Sequence, residues 1–392
     1  MRLRDVFKRE LQTLVSGRFP LLLLIFAVPL AFSLLFGLIY SQNTVKNIAM
    51  VIYDQEQSST SRSLIRMYED SERFSVQRYV DSQEEFEAAI ARDEALVGLG
   101  IPRDFSKDIK RGTVAETLLV VNSANNMFGN AALSSAQEIQ RSFSVGVAQK
   151  LIESGGVLPA AAMQTVYPVH FGVRILNNPT NGYTQFMLAG LMLNGLQISL
   201  MLIIPLLLIR ELREPFYGKS LPVWKLMLGS GLVPWLAAVF SGVFSLGILV
   251  QLFDVPMRGS WLEAALLMAG FAFFVIGALL IFSACAPNEI LAMQAPMLYI
   301  MPGLLYSGLS WPQFAMTDIA SVFGALLPIT YTGDTLRDIM LAGYAPDFWS
   351  SMVRMMVSGL AAALIAGGIF SLRRRWMNRG GVNRGVLANN QK

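Results

Sequence analysis

Only one cysteine and one histidine stand among the 392 residues, and only 15% of the chain is charged. A single thiol excludes a disulfide framework. One thiol with one imidazole also excludes a Cys/His zinc site, a Cys/His nucleophilic pair and a haem held by two histidines. The charged share is well below the quarter that an ordinary soluble domain carries. It comes with 54% hydrophobic residues and a mean hydropathy of +0.48, which describes a membrane protein. The formal charge of +4 and the pI near 9.2 do not point to nucleic acid, because the basic residues flank apolar runs and form no polar face.

Intervals free of Asp, Glu, Lys and Arg locate the spans. There are 27 such residues between Arg18 and Lys46 and 35 between Arg174 and Arg210, both above the roughly 20 that a helix needs to cross hydrocarbon. Others cover 226–253, 264–288, 290–317 and 355–372. The expectation is six transmembrane helices, near 19–40, 183–209, 226–252, 261–284, 289–309 and 349–372. The first is an anchor and not a signal peptide, since its apolar stretch is longer than a signal h-region and no small-x-small site follows Tyr40. Ahead of it, in 1–18, Phe7, Leu11, Leu14 and Val15 recur at helical spacing against Lys8, Arg9 and Gln12, the pattern of an interfacial amphipathic helix.

Lys and Arg concentrate in 1–18, 210–225 and 373–392, with fifteen in all, against one each in 254–260 and 310–348. That bias predicts cytoplasmic N- and C-termini, with 373–392 a basic cytoplasmic tail. Segment 41–182 then lies outside. Its 13 basic and 16 acidic residues, interspersed with short apolar groups, describe a folded domain. Strands are expected at 47–53, 73–76, 96–101 and 117–121, and helices at 58–70, from a Ser82/Glu85 capping box through Ile90, and at 129–154. The alternation suggests a small mixed α/β domain. No catalytic constellation is legible in it: Glu84, Glu85 and Glu87 fall on a solvated helix face and His170 has no partner cluster.

Few ionisable residues fall within the spans, and Glu263, Glu289 and Arg354 sit near span ends. A proton- or sodium-coupled carrier is therefore disfavoured. Gly218-Lys219-Ser220 looks like the end of a phosphate-binding loop, but Arg213 stands where the first glycine belongs and a membrane helix precedes it. The chain has no nucleotide site of its own, and the longest inner loop, 210–225, is the place for a partner to push.

In that loop Arg210-Glu211-Leu212-Arg213-Glu214, then Leu221-Pro222, resembles the R-E-R-E-x-G-T…P signature of ABC-2 type transporter permeases, the membrane subunits of ATP-binding-cassette exporters. Ile48 to Val51 with Asp54, and Ile101-Pro102-Arg103-Asp104-Phe105-Ser106 before Gly112, resemble the form with a large extracytoplasmic domain after the first span. Leu305 to Gly308, Pro312, Pro328-Ile329-Thr330-Tyr331, Asp334 and Leu336-Arg337 are similar to the family's later "lsG…P…P-l-t-Y…lR" region. One departure stands out: the loop is several residues shorter than the family pattern, and Pro215 interrupts it.

The resemblance implies an α-helical integral membrane protein with an inserted mixed α/β extracytoplasmic domain, acting as the permease of an exporter in the cell (inner) membrane. It is a transport subunit and not an enzyme, moving a hydrophobic or amphipathic compound. ATP and magnesium are expected in separate ABC ATPase subunits, with no cofactor bound by this chain. The coupling residues would be Arg210, Glu211, Arg213, Glu214, Gly218 and Lys219, aided by the 1–18 helix with Phe7, Arg9 and Leu11. The plainer reading of those charges is an ordinary positive-inside flank. Residues 310–337 would enter and leave the membrane without crossing, with Pro312, Pro328, Tyr331 and Arg337 as marks of this outer re-entrant segment. Tyr331 and Arg337 also suit interfacial anchors. Partners would be membrane lipids and a second permease chain, with a heterodimer favoured over a homodimer by the short loop; a periplasmic adaptor stays open. The alternatives are a membrane-anchored sensor or scaffold and, less favoured, a secondary transporter.

Overall fold

A computed structural model describes residues 7–8, 11–12, 14–15, 21–167, 174–213 and 222–389. The chain divides into two compact units, Thr44–Arg174 and the remainder, Met1–Asn43 with Ile175–Lys392. The first is narrower than the 41–182 expected, since residues 41–43 and 175–182 belong with the membrane helices.

In chain order the elements of the first unit are β1 (Ile48–Asp54), α2 (Ser59–Glu69), β2 (Phe74–Tyr79), α3 (Gln83–Ala91), β3 (Val97–Ile101), α4 (Phe105–Arg111), β4 (Leu118–Val121), α5 (Asn126–Ser154) and α6 (Pro159–Val166), with α1 reserved for the membrane helix before them. The short α4 and α6 were not foreseen. The sheet order is β2-β1-β3-β4, with β1 parallel to β2 and β3, and β4 antiparallel. Strand alternation divides the core. Met50, Ile52, Val97 and Leu99 pack on one face with Leu64, Tyr68, Ala136 and Phe143, while Val51 faces Phe86 and Ala89 of α3 on the other. Gly98 lies on the α3 face because a methyl there would meet the Phe86 ring at 2.5 Å.

Polar bonds tie the carboxyl end of β1 to its neighbours. Asp54 accepts from the backbone N–H groups of Glu56 and Gln57 and from Ser61 Oγ, while Ser58 caps α2. Glu56 accepts from Ser106 N and Oγ at 2.6 Å and from Ser58 Oγ at 2.5 Å. Burial works to raise its carboxyl, but those bonds and the attraction of Lys110 prevail and hold it below the ordinary carboxylate value.

The second unit holds α1 (Leu21–Ile39), α7 (Tyr183–Arg213), α8 (Val223–Leu252), α9 (Trp261–Cys285), α10 (Glu289–Gln294), α11 (Met297–Ile300), α12 (Gly303–Tyr306), a 3-10 turn (Gln313–Ala315), α13 (Asp318–Ala325), α14 (Pro328–Arg337), a π turn (Asp338–Ala342) and α15 (Phe348–Asn389). Five of these, α1, α7, α8, α9 and α15, are long and apolar enough to cross a membrane. The expected helix at 289–309 is instead three short helices, interrupted at Pro296 and Pro302. Proline has no N–H, and its ring clashes with the carbonyl a turn earlier, so two within seven residues break the rod. The 373–389 stretch continues α15 as helix.

Buried hydroxyls repair the backbone here. Pro29 deprives the Ile25 carbonyl of its helical donor, and Ser241 Oγ from α8 supplies one at 2.7 Å. Ser283 Oγ of α9 donates to Pro205 O of α7 at 2.6 Å, a second hydroxyl-to-carbonyl bond between membrane helices. Small residues allow close approach: a methyl on Gly277 of α9 would lie 2.5 Å from Gly359 O of α15.

Candidate translocation site

The three broken helices climb α7 from end to end. Ala286 and Ala292 pack with Ile209 near the Arg213 end of α7. Higher up, Gln197 Nε2 donates to Asn194 Oδ1 at 2.7 Å and to Ile300 O at 3.5 Å, and Gly303 lies against Gln197. Leu309 then packs on Gly190. From Ile209 to Gly190 at 1.5 Å per residue is roughly 28 Å, close to the thickness of the hydrocarbon. Leu298, Met301 and Leu305 of this broken path are exposed.

Helices α13 and α14 form a hairpin. At its corner Tyr299 Oη donates to Leu326 O at 2.6 Å and Ile329 approaches Gly303, so the corner lies at the depth of Gln197. The far end of α14 lies at Phe186, eleven residues or roughly 16 Å along α7. There the Arg337 guanidinium sits 4.6 Å from the Phe186 ring centroid and 3.4 Å from Asp334. Pro328 opens α14, where its missing N–H costs nothing. Tyr331 donates to Ala325 O at 2.7 Å and lies under Arg354 of α15. Thr335 and Ser351 join α14 to α15 at 3.1 Å. Thus Pro328, Tyr331 and Arg337 share one helix, while Pro312 lies apart and exposed before the 3-10 turn.

Of the coupling residues, Arg210, Glu211 and Arg213 belong to the last turn of α7. Glu214, Gly218 and Lys219 lie outside the described residues, as does Arg9. Phe7 packs partly against the membrane core and Leu14 is fully buried in it, whereas Leu11 is exposed. Near the same end, Arg373 donates to Ala284 O and Ala286 O, capping α9. His170 lies outside the described residues, and Glu84, Glu85 and Glu87 are exposed.

Sequence reading missed Asn194 and Gln197. It searched for charges deep in the spans, and the available signal was a pair of amides three residues apart in a charge-free interval.

A model of a family described as ABC-2 family transporter protein matches residues 20–368. Over 361 residues the chain is 23% identical to the probable multidrug ABC transporter permease YbhR of Escherichia coli strain K12, covering 91% of this chain and 94% of that protein. The same holds for the YbhR protein of Escherichia coli O157:H7. A shorter stretch of 105 residues is 30% identical to ABC transporter G family member 20 of Dictyostelium discoideum, covering 27% of this chain and 14% of that protein. A match spanning the first membrane helix, the inserted sheet domain, the broken helices and most of α15 leaves one assignment: the chain belongs to the ABC-2 family of transporter proteins, as a membrane permease component and not as an enzyme.

Proposed function

We propose that this permease exports hydrophobic or amphipathic compounds, driven by separate ATPase subunits that bind ATP and magnesium. The observation that carries the reading is the broken 289–306 path. Interrupted backbone at membrane depth is tolerated only against protein or a water-filled cavity, and Leu298, Met301 and Leu305 leave this one uncovered within a single chain. A second permease chain would cover it, and movement of the two copies would open a path between them.

The same segment serves as the fifth of six crossings, with α13 and α14 as the re-entrant segment. The basic residues at 1–18, 210–225 and 373–392 support cytoplasmic termini and an extracytoplasmic 44–174 unit. The inner end of α7 with the loop after it would receive the ATPase, and the shortness of that loop favours a paired permease with a fuller one. The multidrug label of the Escherichia coli relative supports a substrate of broad apolar character.

Reconstitution tests this. The chain should form a stable complex with an ABC ATPase and accumulate an amphipathic dye in inverted vesicles only with ATP. Reversing Glu211 and Glu214 to Lys should weaken ATPase docking by about 2–5 kcal/mol, while Lys219→Ala leaves nucleotide affinity unchanged. Cysteines placed at Ser82 and Lys219, after Cys285 is replaced, should label from outside and inside respectively. A chain that binds no ATPase and moves no dye would leave the sensor or scaffold reading.

A further inference from the structure

In the 44–174 unit a cavity of about 360 Å³ opens at the carboxyl ends of β1 and β2, with Asp54 ending the first strand and Asp81 following the second. The topology explains the opening. Helix α2, which follows β1, packs through Leu64 and Tyr68 on one face of the sheet, and α3, which follows β2, packs through Phe86 and Ala89 on the other. Neighbouring parallel strands whose chains depart to opposite faces leave a crevice at their carboxyl ends, the place where open α/β sheets take ligands.

Five charged side chains line the cavity, the guanidiniums of Arg62 and Arg66 and the carboxylates of Asp54, Glu69 and Asp81, yet no two of them form an ion pair among the described residues. Three are held by neutral groups. Asp54 has its backbone N–H and Ser61 donors, Glu69 Oε1 accepts from Tyr79 Oη at 2.5 Å, and Arg62 donates to Gln57 O at 2.7 Å. Gln57 stands in the left-handed region at φ 51°, so a strained residue supplies the carbonyl that fixes the Arg62 guanidinium. The side chains of Arg66, Asp81 and Gln57 have no hydrogen bond or ion pair among the described residues.

The mixture of signs selects the ligand. A bare anion would meet three carboxylates and a bare cation two guanidiniums, whereas a molecule carrying both charges close together sets its carboxylate on guanidinium and its ammonium on carboxylate. The three carboxylates are not grouped to hold a metal ion, since no such group occurs among the described residues. Buried Ile65 and Val80, with the Tyr79 ring, give the cavity an apolar side. Its volume lies at the lower end of the roughly 300–1,000 Å³ of ligand pockets, which suits a compact zwitterion and not a drug-sized amphiphile.

We propose that this cavity binds a free α-amino acid with an apolar side chain, its carboxylate at Arg62 and Arg66 and its ammonium at Asp81. The test is a saturation-transfer NMR titration of the full chain in detergent with phenylalanine, phenylalaninamide and N-acetylphenylalanine. Phenylalanine should bind with a Kd of about 1 mM or below, and each derivative, lacking one of the two charges, about tenfold more weakly. Arg66→Gln should weaken phenylalanine about tenfold and leave phenylalaninamide unchanged, because that ligand has no carboxylate to lose. Asp81→Asn should weaken phenylalanine to the same degree and leave N-acetylphenylalanine unchanged. Both residues are exposed, so the two variants should melt with the parent. Absence of phenylalanine binding, equal binding of the three ligands, or variants that weaken all three alike would overturn the proposal. A phenylalanine signal that survives both substitutions would place the ligand elsewhere on the chain and overturn it as well. Neither ATPase binding nor dye transport enters the readout, so this result stands apart from the exporter reading.

Discussion

The two units of this chain solve the same problem, the satisfaction of buried polar groups, with opposite means. In the 44–174 unit charged and hydroxyl side chains bond to one another: Glu56 gathers Ser106 and Ser58, and Asp54 holds Ser61. In the membrane unit hydroxyls turn to backbone carbonyls, as Ser241 does to Ile25, Ser283 to Pro205 and Thr332 to Pro328. The packing differs in the same way. A sheet buried on both faces binds the first unit, whereas helices approaching to backbone contact through Gly277 and Gly359 bind the second. In water a side chain can trade partners with solvent, but in hydrocarbon every unpaired carbonyl and every gap must be met from within.

The sharpest way to break that contrast is to spoil a close approach. Gly277→Ala puts a methyl 2.5 Å from the Gly359 carbonyl, which cannot move aside as a side-chain tip would. The expected loss is about 3 kcal/mol, read as a lower melting temperature of the detergent-solubilised chain. Gly247→Ala on α8, with nothing within 4 Å of the added methyl, should stay within about 1 kcal/mol of the parent and serves as its control.

Next in size is the polar cluster of the first unit. Glu56→Gln should cost about 1–3 kcal/mol, because the neutral amide cannot accept all three bonds. Since the carboxyl of Glu56 lies below its ordinary value of 4.5, its contribution is complete above that pH and is lost as pH falls through the lower folded value. Protection factors of the amides around residues 54–58, which allow for the slower intrinsic exchange in acid, should therefore fall with pH in the parent and lose that dependence in the variant. Unchanged acid sensitivity in Glu56→Gln would remove this residue from the argument.

The smallest expected effect tests whether the α14 charge pair belongs to the water-facing or the membrane-facing style. Arg337→Lys keeps the charge beside Asp334 but gives up the planar contact with Phe186. About 1 kcal/mol should be lost in the melting of the membrane unit. No loss at all would make Arg337 an ordinary solvated cation.

Composition and charge spacing were enough to read five of the membrane helices, their ends within a few residues except where α15 runs on to Asn389, and the alternation of strands and helices in the inserted unit. These are local properties. A charge-free interval of membrane length makes a spanning helix unless prolines interrupt it, as they do at 296 and 302, and period-two alternation marks a strand. The resemblance to ABC-2 permeases was likewise carried by motifs that keep their order along the chain.

What the tertiary structure decided is where long-range partners settle a local choice. The prolines at 296 and 302 were visible in the sequence, but only packing along α7 shows a path that is broken and still runs the length of the bundle. Asn194 and Gln197 went unread because their meaning depends on which carbonyl stands opposite. Arg337 could be named as a mark, yet its pairing with Phe186 joins residues 151 positions apart, a distance that no periodicity records. Periodicity reports the face a residue occupies, and the fold alone reports what that face meets.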